Sequence, residues 1–147
     1  MNLEQYIYYT NKDFLDYEFY SEGPKGRIKK IVHYQKINEH PLVYNLAFGD
    51  LNDLNGKIDD AINTNNGDSE KVLATVAATT VDFMNKYPNA YVYAAGSTLS
   101  RTRRYQMGIL KIWNEIHHNF EVYGLLDESW HLFKAGVNFE AFLVKRK

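Results

Sequence analysis

The sequence predicts an α+β fold: a curved, mostly antiparallel sheet, possibly mixed, carrying two long helices. Three observations lead there. The first half of the chain alternates in strand fashion between turn signals. Two later stretches repeat apolar residues at helical spacing. Short apolar segments flank and follow those helices, which gives the order β-β-β-β-α-β-α-β-(β)-β.

The elements follow in chain order. DYEFYSEG and RIKKIVHYQKI read as a hairpin, with Gly23, Pro24 and Gly26 marking its turn. In the second strand Ile28, Lys30, Val32, Tyr34 and Lys36 share one face, and Arg27, Lys29, Ile31, His33 and Gln35 share the other. Neither face is wholly apolar, so a sheet partly open to solvent is expected. LVYNLAFGD follows His40-Pro41 as a third strand, and GKIDDAIN reads as a short strand or, in rivalry, a short helix. After the polar turn TNNGDS, Asp68 or Ser69 caps a helix over about 70–86, on Leu73, Val76, Ala77, Val81, Met84 and Tyr87, and Pro88 stops it. AYVYAAG is a short strand. The second helix spans about 98–118, with Tyr105, Ile109, Ile112, Trp113 and Ile116 as its core stripe. FEVYGLLD, a candidate SWHLF, and NFEAFLVKR supply the closing strands. A crossover through residues 57–96 makes the sheet mixed.

The 147 residues fit one domain, 1–147, and can bury a core without staples. There is no cysteine, which removes disulfides, thiolate zinc sites and thiol catalysis. Neither a secretory signal nor a run approaching ~20 apolar residues is present, so a cytoplasmic protein without a membrane span is expected. The net charge of −1 argues against a globally basic nucleic-acid binder and leaves room for a local basic patch. The 12 tyrosines suit half-buried sheet faces; bases or sugars stacking on them is the lesser reading.

The first candidate site is the stretch AAGSTLSRTRRYQMGI. It places Arg101, Arg103 and Arg104 in the first turns of a helix, where the macrodipole prefers acids. At 100° per residue, Arg101 lies about 40° from Tyr105, at the edge of the buried stripe. Arg104 lies on the same flank and Arg103 points away. Strand, Gly96, Ser97, Thr98, then helix is the layout of an anion cradle, with Ser97, Thr98, Arg101, Arg103 and Arg104 as candidate ligand-binding residues. It is neither a P-loop nor a Rossmann fingerprint. The plain alternative is a capped helix whose arginines pair with carboxylates.

The second candidate is the polar turn before the first helix, with Asp60, Asn65, Asn66 and Asp68. Asn66-Gly67 suits a turn needing positive φ. No EF-hand register fits, and the five histidines show no metal-binding spacing, so neither metal nor cofactor is expected. A sharper possibility sets both helix mouths side by side, with Asp59, Asp60 or Asp68 neutralising Arg101 or sharing a pocket with it.

TNNGDSEKVLATVAATTVDF, GSTLSRTRRYQMGI, YGLL and the closing NFEAFLVKRK together resemble an uncharacterised family of small bacterial domains, over nearly the whole chain. Its T-N-N-G-D and G-S-T-x-x-R-T-R blocks fall on Thr64 to Asp68 and on Gly96, Ser97, Thr98, Arg101, Thr102 and Arg103. The resemblance implies a joint site or a latch and brings no chemistry with it.

Three functions are therefore open. One is a binding module for a phosphate-bearing ligand, nucleotide or nucleic acid. Another is a protein-interaction domain of a small bacterial regulatory or toxin–antitoxin pair, hinted at by Met107, Leu110 and Leu126. The third is a phosphoester-acting enzyme with Arg101 as electrostatic stabiliser and Asp60 or Asp68 as base or metal ligand. A homodimer is compatible with all three.

Overall fold

The computed structural model describes residues 4–52, 57–59 and 66–147, with residues 52 and 57–59 described as backbone. Asp60 and Asn65, both candidate site residues, lie outside the described residues, as do Asn63, Thr64 and the side chain of Asp59. The fold is α+β. Among the described residues, nine strands form one mixed, mostly antiparallel, unclosed sheet beneath two helices. The strands are β1 (Tyr8–Thr10), β2 (Asp16–Gly23), β3 (Gly26–Asn38), β4 (Val43–Asn52), β5 (Lys57–Asp59), β6 (Tyr91–Ala94), β7 (Phe120–Leu126), β8 (Ser129–Leu132) and β9 (Ala141–Arg146). The helices are α1 (Ser69–Lys86) and α2 (Leu99–Ile116), each within two residues of the sequence expectation. The short strand β1 was not expected; the aromatic-rich YIYYT shows no clean alternation.

The β2–β3 hairpin closes where expected, with Gly23 opposite Gly26 and Gly26 at φ +91°. The spatial order is β1-β2-β3-β4-β6-β9-β7-β8, with β5 attached to β4. Strand β4 forks along its outer side. Its residues Val43–Asn45 pair in parallel with β6, and its residues Asp50–Asn52 pair antiparallel with β5. The crossover from β4 through α1 to β6 makes the sheet mixed, as read from 57–96.

Period-2 alternation assigns the two faces. One face carries Tyr17, Phe19, Val32, Tyr34, Leu46, Phe48, Val92 and Phe142, all buried under the helices. Helix α1 docks there through Val76, Phe83 and Met84, and the Phe83 ring stacks on Tyr34 at 4.3 Å. Helix α2 contributes Ile112 and Ile116 to the core; Tyr105, Ile109 and Trp113 pack against it half-buried. The opposite face has no helix on it among the described residues, which accounts for the polar row Arg27, Lys29, His33 and Gln35. No described helix is long and apolar enough to cross a membrane.

Candidate functional site

In a parallel strand pair the carboxyl ends point the same way, and open sheets bind ligands outside those ends. The β4–β6 pair therefore brings the entries to both helices to one end of the sheet. These entries are Asn66–Asp68 before α1 and Gly96–Thr98 before α2.

At the α2 entry the hydroxyls bond within the helix start. Thr98 is the N-cap, its Oγ1 accepting the Arg101 N–H at 3.3 Å. The Gly96 N–H donates to Thr102 Oγ1 at 3.0 Å. A side chain at position 96 would put Cβ 2.4 Å from the Thr102 nitrogen, so glycine is required by close approach. Arg101 folds back and donates from Nη1 to Ser97 Oγ at 2.5 Å. The hydroxyls of Ser97 and Thr98 are thus engaged within the helix start. Arg103 and Arg104 are exposed, and neither meets a carboxylate among the described residues.

The α1 entry is arranged differently. Asp68 occupies the N-cap position, yet its side chain caps no helical N–H. Its carboxylate instead accepts from the Tyr6 hydroxyl at 2.6 Å and the Ser21 hydroxyl at 2.5 Å. Burial, and then this hydrogen bond, push the Tyr6 phenol up from its ordinary pKa. Asn66, only 2 % exposed, clamps the β2–β3 turn: Oδ1 accepts the Lys25 N–H at 2.7 Å and Nδ2 donates to the Gly26 carbonyl at 2.8 Å. Gly67 adopts φ +75°, as the Asn-Gly reading expects. Asn66 and Asp68 therefore tie the start of α1 to the first hairpin. The cost is that, among the described residues, no side chain caps the first-turn N–H groups of α1.

Those N–H groups border a cleft between α1 and α2. It consists of two adjoining hollows of about 530 and 310 Å³, both bordered by Asp68, Ser69, Glu70, Leu73, Gly108 and Lys111. Gly108 sets the helix spacing, since a Cβ there would lie 3.0 Å from Leu73. Lys111 donates to Glu70 across the cleft and holds that carboxyl below its usual range. Arg104 and Met107 line the smaller hollow.

Lys30 also lines this hollow. It is 1 % exposed and sits directly opposite Asp50 in the β3–β4 ladder, with which it forms a buried ion pair. A buried ammonium is tolerated because the carboxylate meets it.

The structure therefore gathers Asp68 and Arg104 at one cleft. Arg101 turns to Ser97, and neither it nor Arg103 lines the cleft. Sequence reasoning missed Lys30, Asp50, Tyr6, Ser21 and Lys111. The available signal was Lys30 itself, a lysine flanked on its face of β3 by Ile28, Val32 and Tyr34. Among the described residues no cluster of His, Asp or Glu is arranged to hold a metal ion.

A family model described as a family of unknown function (DUF6934) matches residues 2–147. Comparison with curated proteins gives no match. Comparison with solved structures gives none.

Proposed function

The chain belongs to this family of unknown function, and from the cleft we propose that it is a binding module for a small phosphate-bearing ligand of the nucleotide class. One observation carries the reading. Arg104, which meets no carboxylate among the described residues, lines a cleft that opens on the first turn of α1, where Asp68 supplies no side-chain cap. A cationic side chain beside a helix N-terminus is the chemistry that holds phosphate. A small ligand is favoured over a long nucleic acid because the cations of the basic strand are already matched: Lys29 with Glu18, Arg27 with Glu22 and Lys36 with Glu39.

The test is calorimetric titration with pyrophosphate and ATP at low ionic strength, with sulfate as control. Arg104→Ala should weaken binding at least about tenfold while leaving the unliganded melting temperature unchanged. Arg101→Ala should lower stability whatever anion is present. The reading is overturned if neither phosphate compound binds, or if Arg104→Ala and Lys111→Ala both leave affinity intact.

A second reading has its own support. Met107 and Leu110 of α2 are 58 % and 40 % exposed, Met107 at the rim of the smaller hollow, which favours a protein contact there. Leu126, the third hint from the sequence, packs half-buried against the core and does not belong to that surface. If Met107→Glu and Leu110→Glu leave molecular mass and partner capture unchanged, the surface is not a contact.

A further inference from the structure

We propose, on the strength of the phosphate-binding cleft, that Glu70 is a gate on its ligand: the Glu70 carboxylate holds Lys111 until the second phosphate of a diphosphate group displaces it. The cleft then takes nucleoside diphosphates or triphosphates in preference to monophosphates.

The layout comes from both helices. Arg104 borders the smaller hollow alone, whereas Lys111 and Glu70 border both hollows and so mark their junction. Arg104 and Lys111 are seven residues apart on α2. Seven residues are close to two turns, so the two side chains leave one side of the helix, about 20° apart around the axis and about 10.5 Å apart along it. Gly108 lies between them and puts no side chain in the gap. That span is long for one phosphate and suits two, with the flexible lysine stem closing the remainder.

The charges show what stands in the way. Arg104 meets no carboxylate among the described residues, so it can receive an anion as it stands. Lys111 instead donates to Glu70, an acidic residue in the first turn of α1. A carboxylate there interacts well with the helix start, the position a phosphate would also favour. The other carboxylates of the cleft are held elsewhere. Asp68 accepts from Tyr6 and Ser21, and Glu4 lies 3.7 Å from Lys71. Lys71 in turn rests over the Tyr6 ring, 4.3 Å from its centroid. Glu70 is therefore the carboxylate whose partner the ligand takes. The exchange is accessible, because the Lys111 and Glu70 side chains are 51 % and 73 % exposed and such a pair contributes little. A phosphate also carries more negative charge than the carboxylate it replaces and accepts from the same ammonium.

The experiment is calorimetric titration of pyrophosphate and of orthophosphate into wild type, Glu70→Gln, Lys111→Ala and the double variant at low ionic strength. Wild type should bind pyrophosphate more tightly than orthophosphate. Glu70→Gln should tighten pyrophosphate roughly two- to fivefold, as release of one exposed pair allows, and change orthophosphate by less than about 1.5-fold. In the Lys111→Ala background the same substitution should change neither, since the cation it guards is gone. Both side chains are exposed, so the variants should fold, and circular dichroism checks this. Equal tightening of both anions by Glu70→Gln overturns the gate, and so does tightening that persists without Lys111; either marks a diffuse charge effect. A lower melting temperature with unchanged pyrophosphate affinity makes the pair a strap between helices; the gate is then overturned and the cleft reading stands. If pyrophosphate binds neither wild type nor Glu70→Gln, the cleft reading falls and takes the gate with it.

Discussion

Replacing Asp50 by asparagine should destabilise the protein far more than its size suggests. The substitution keeps the volume and removes one charge. Its partner Lys30 is 1 % exposed, held between β2 and β4 on the helix-covered face, so the ammonium cannot regain its hydration without moving the strand. Breaking a buried pair by removing one member costs about 3–5 kcal/mol. Both residues make further interactions, which favours the lower end, about 3 kcal/mol. For a domain of this size each kcal/mol moves Tm by roughly 2–4 °C, so a fall of about 6–12 °C is expected. Global stabilities are about 5–15 kcal/mol, so the variant should remain folded at 25 °C. Scanning calorimetry gives the shift, and urea titration gives the free energy. The double variant Lys30→Met with Asp50→Leu is the control and should recover most of the loss, since an apolar pair removes the desolvation penalty along with the attraction. A Tm for Asp50→Asn within about 2 °C of wild type would refute the reasoning, as it would mean that water reaches the pair.

Two further outcomes are expected. Gly96→Ala should cost about 1–3 kcal/mol, because its Cβ would lie 2.4 Å from the Thr102 nitrogen and 2.6 Å from the Arg101 carbonyl carbon, both backbone atoms of α2; urea titration measures it. The Glu70–Lys111 lock should be pH-dependent in one direction. The hydrogen bond from Lys111 holds the folded-state Glu70 carboxyl below its ordinary value near 4.5. Its contribution is therefore complete above that value and is lost as pH falls through the lower, folded-state value. The melting-temperature difference between wild type and Glu70→Gln should be constant from pH 7 to 5 and shrink below about pH 4.

The period of a side-chain pattern is a local property, and local properties were legible. The alternation of RIKKIVHY and the helical spacing of Val76, Met84, Ile112 and Ile116 located β3, α1 and α2 to within two residues. A hydroxyl cap at Ser97 or Thr98 and the Gly67 turn followed from residue chemistry alone, and the structure selects Thr98 as the cap. Lys30 is visible on the face of β3 that carries Ile28, Val32 and Tyr34, and there it supports a sheet partly open to solvent without saying which face is covered. In fact that face is the core, and the partner that permits this is Asp50, fixed only by the β3–β4 register. Asp68 misled in a similar way. Its type and position say helix cap, yet Tyr6 and Ser21 compete for its carboxylate from distant parts of the chain and win. The cleft itself depends on how α1 lies against α2, and no local pattern encodes that angle.

The fork in β4 has a consequence for how the two ends of the sheet are held together. Hairpin neighbours build β1 through β4, and the strands after α2 pair among themselves and with β6. Each of these two blocks closes mostly short loops. They are sutured through just three residue pairs, Val43–Tyr91, Tyr44–Val92 and Asn45–Tyr93, and this suture closes the long loop that contains α1. The entropy of such a closure grows only logarithmically with length, but three ladder pairs are a small return for it. Helix α1 supplies the difference. Phe83 rests on Tyr34 and Tyr44 of the first block, and Thr75 accepts the Tyr6 N–H. Val76, Ala77 and Met84 meet Val92 and Phe142 of the second block in one apolar layer. The helix is therefore the weld between the two blocks, and the short parallel strand pair depends on its docking for most of the contact that holds them together.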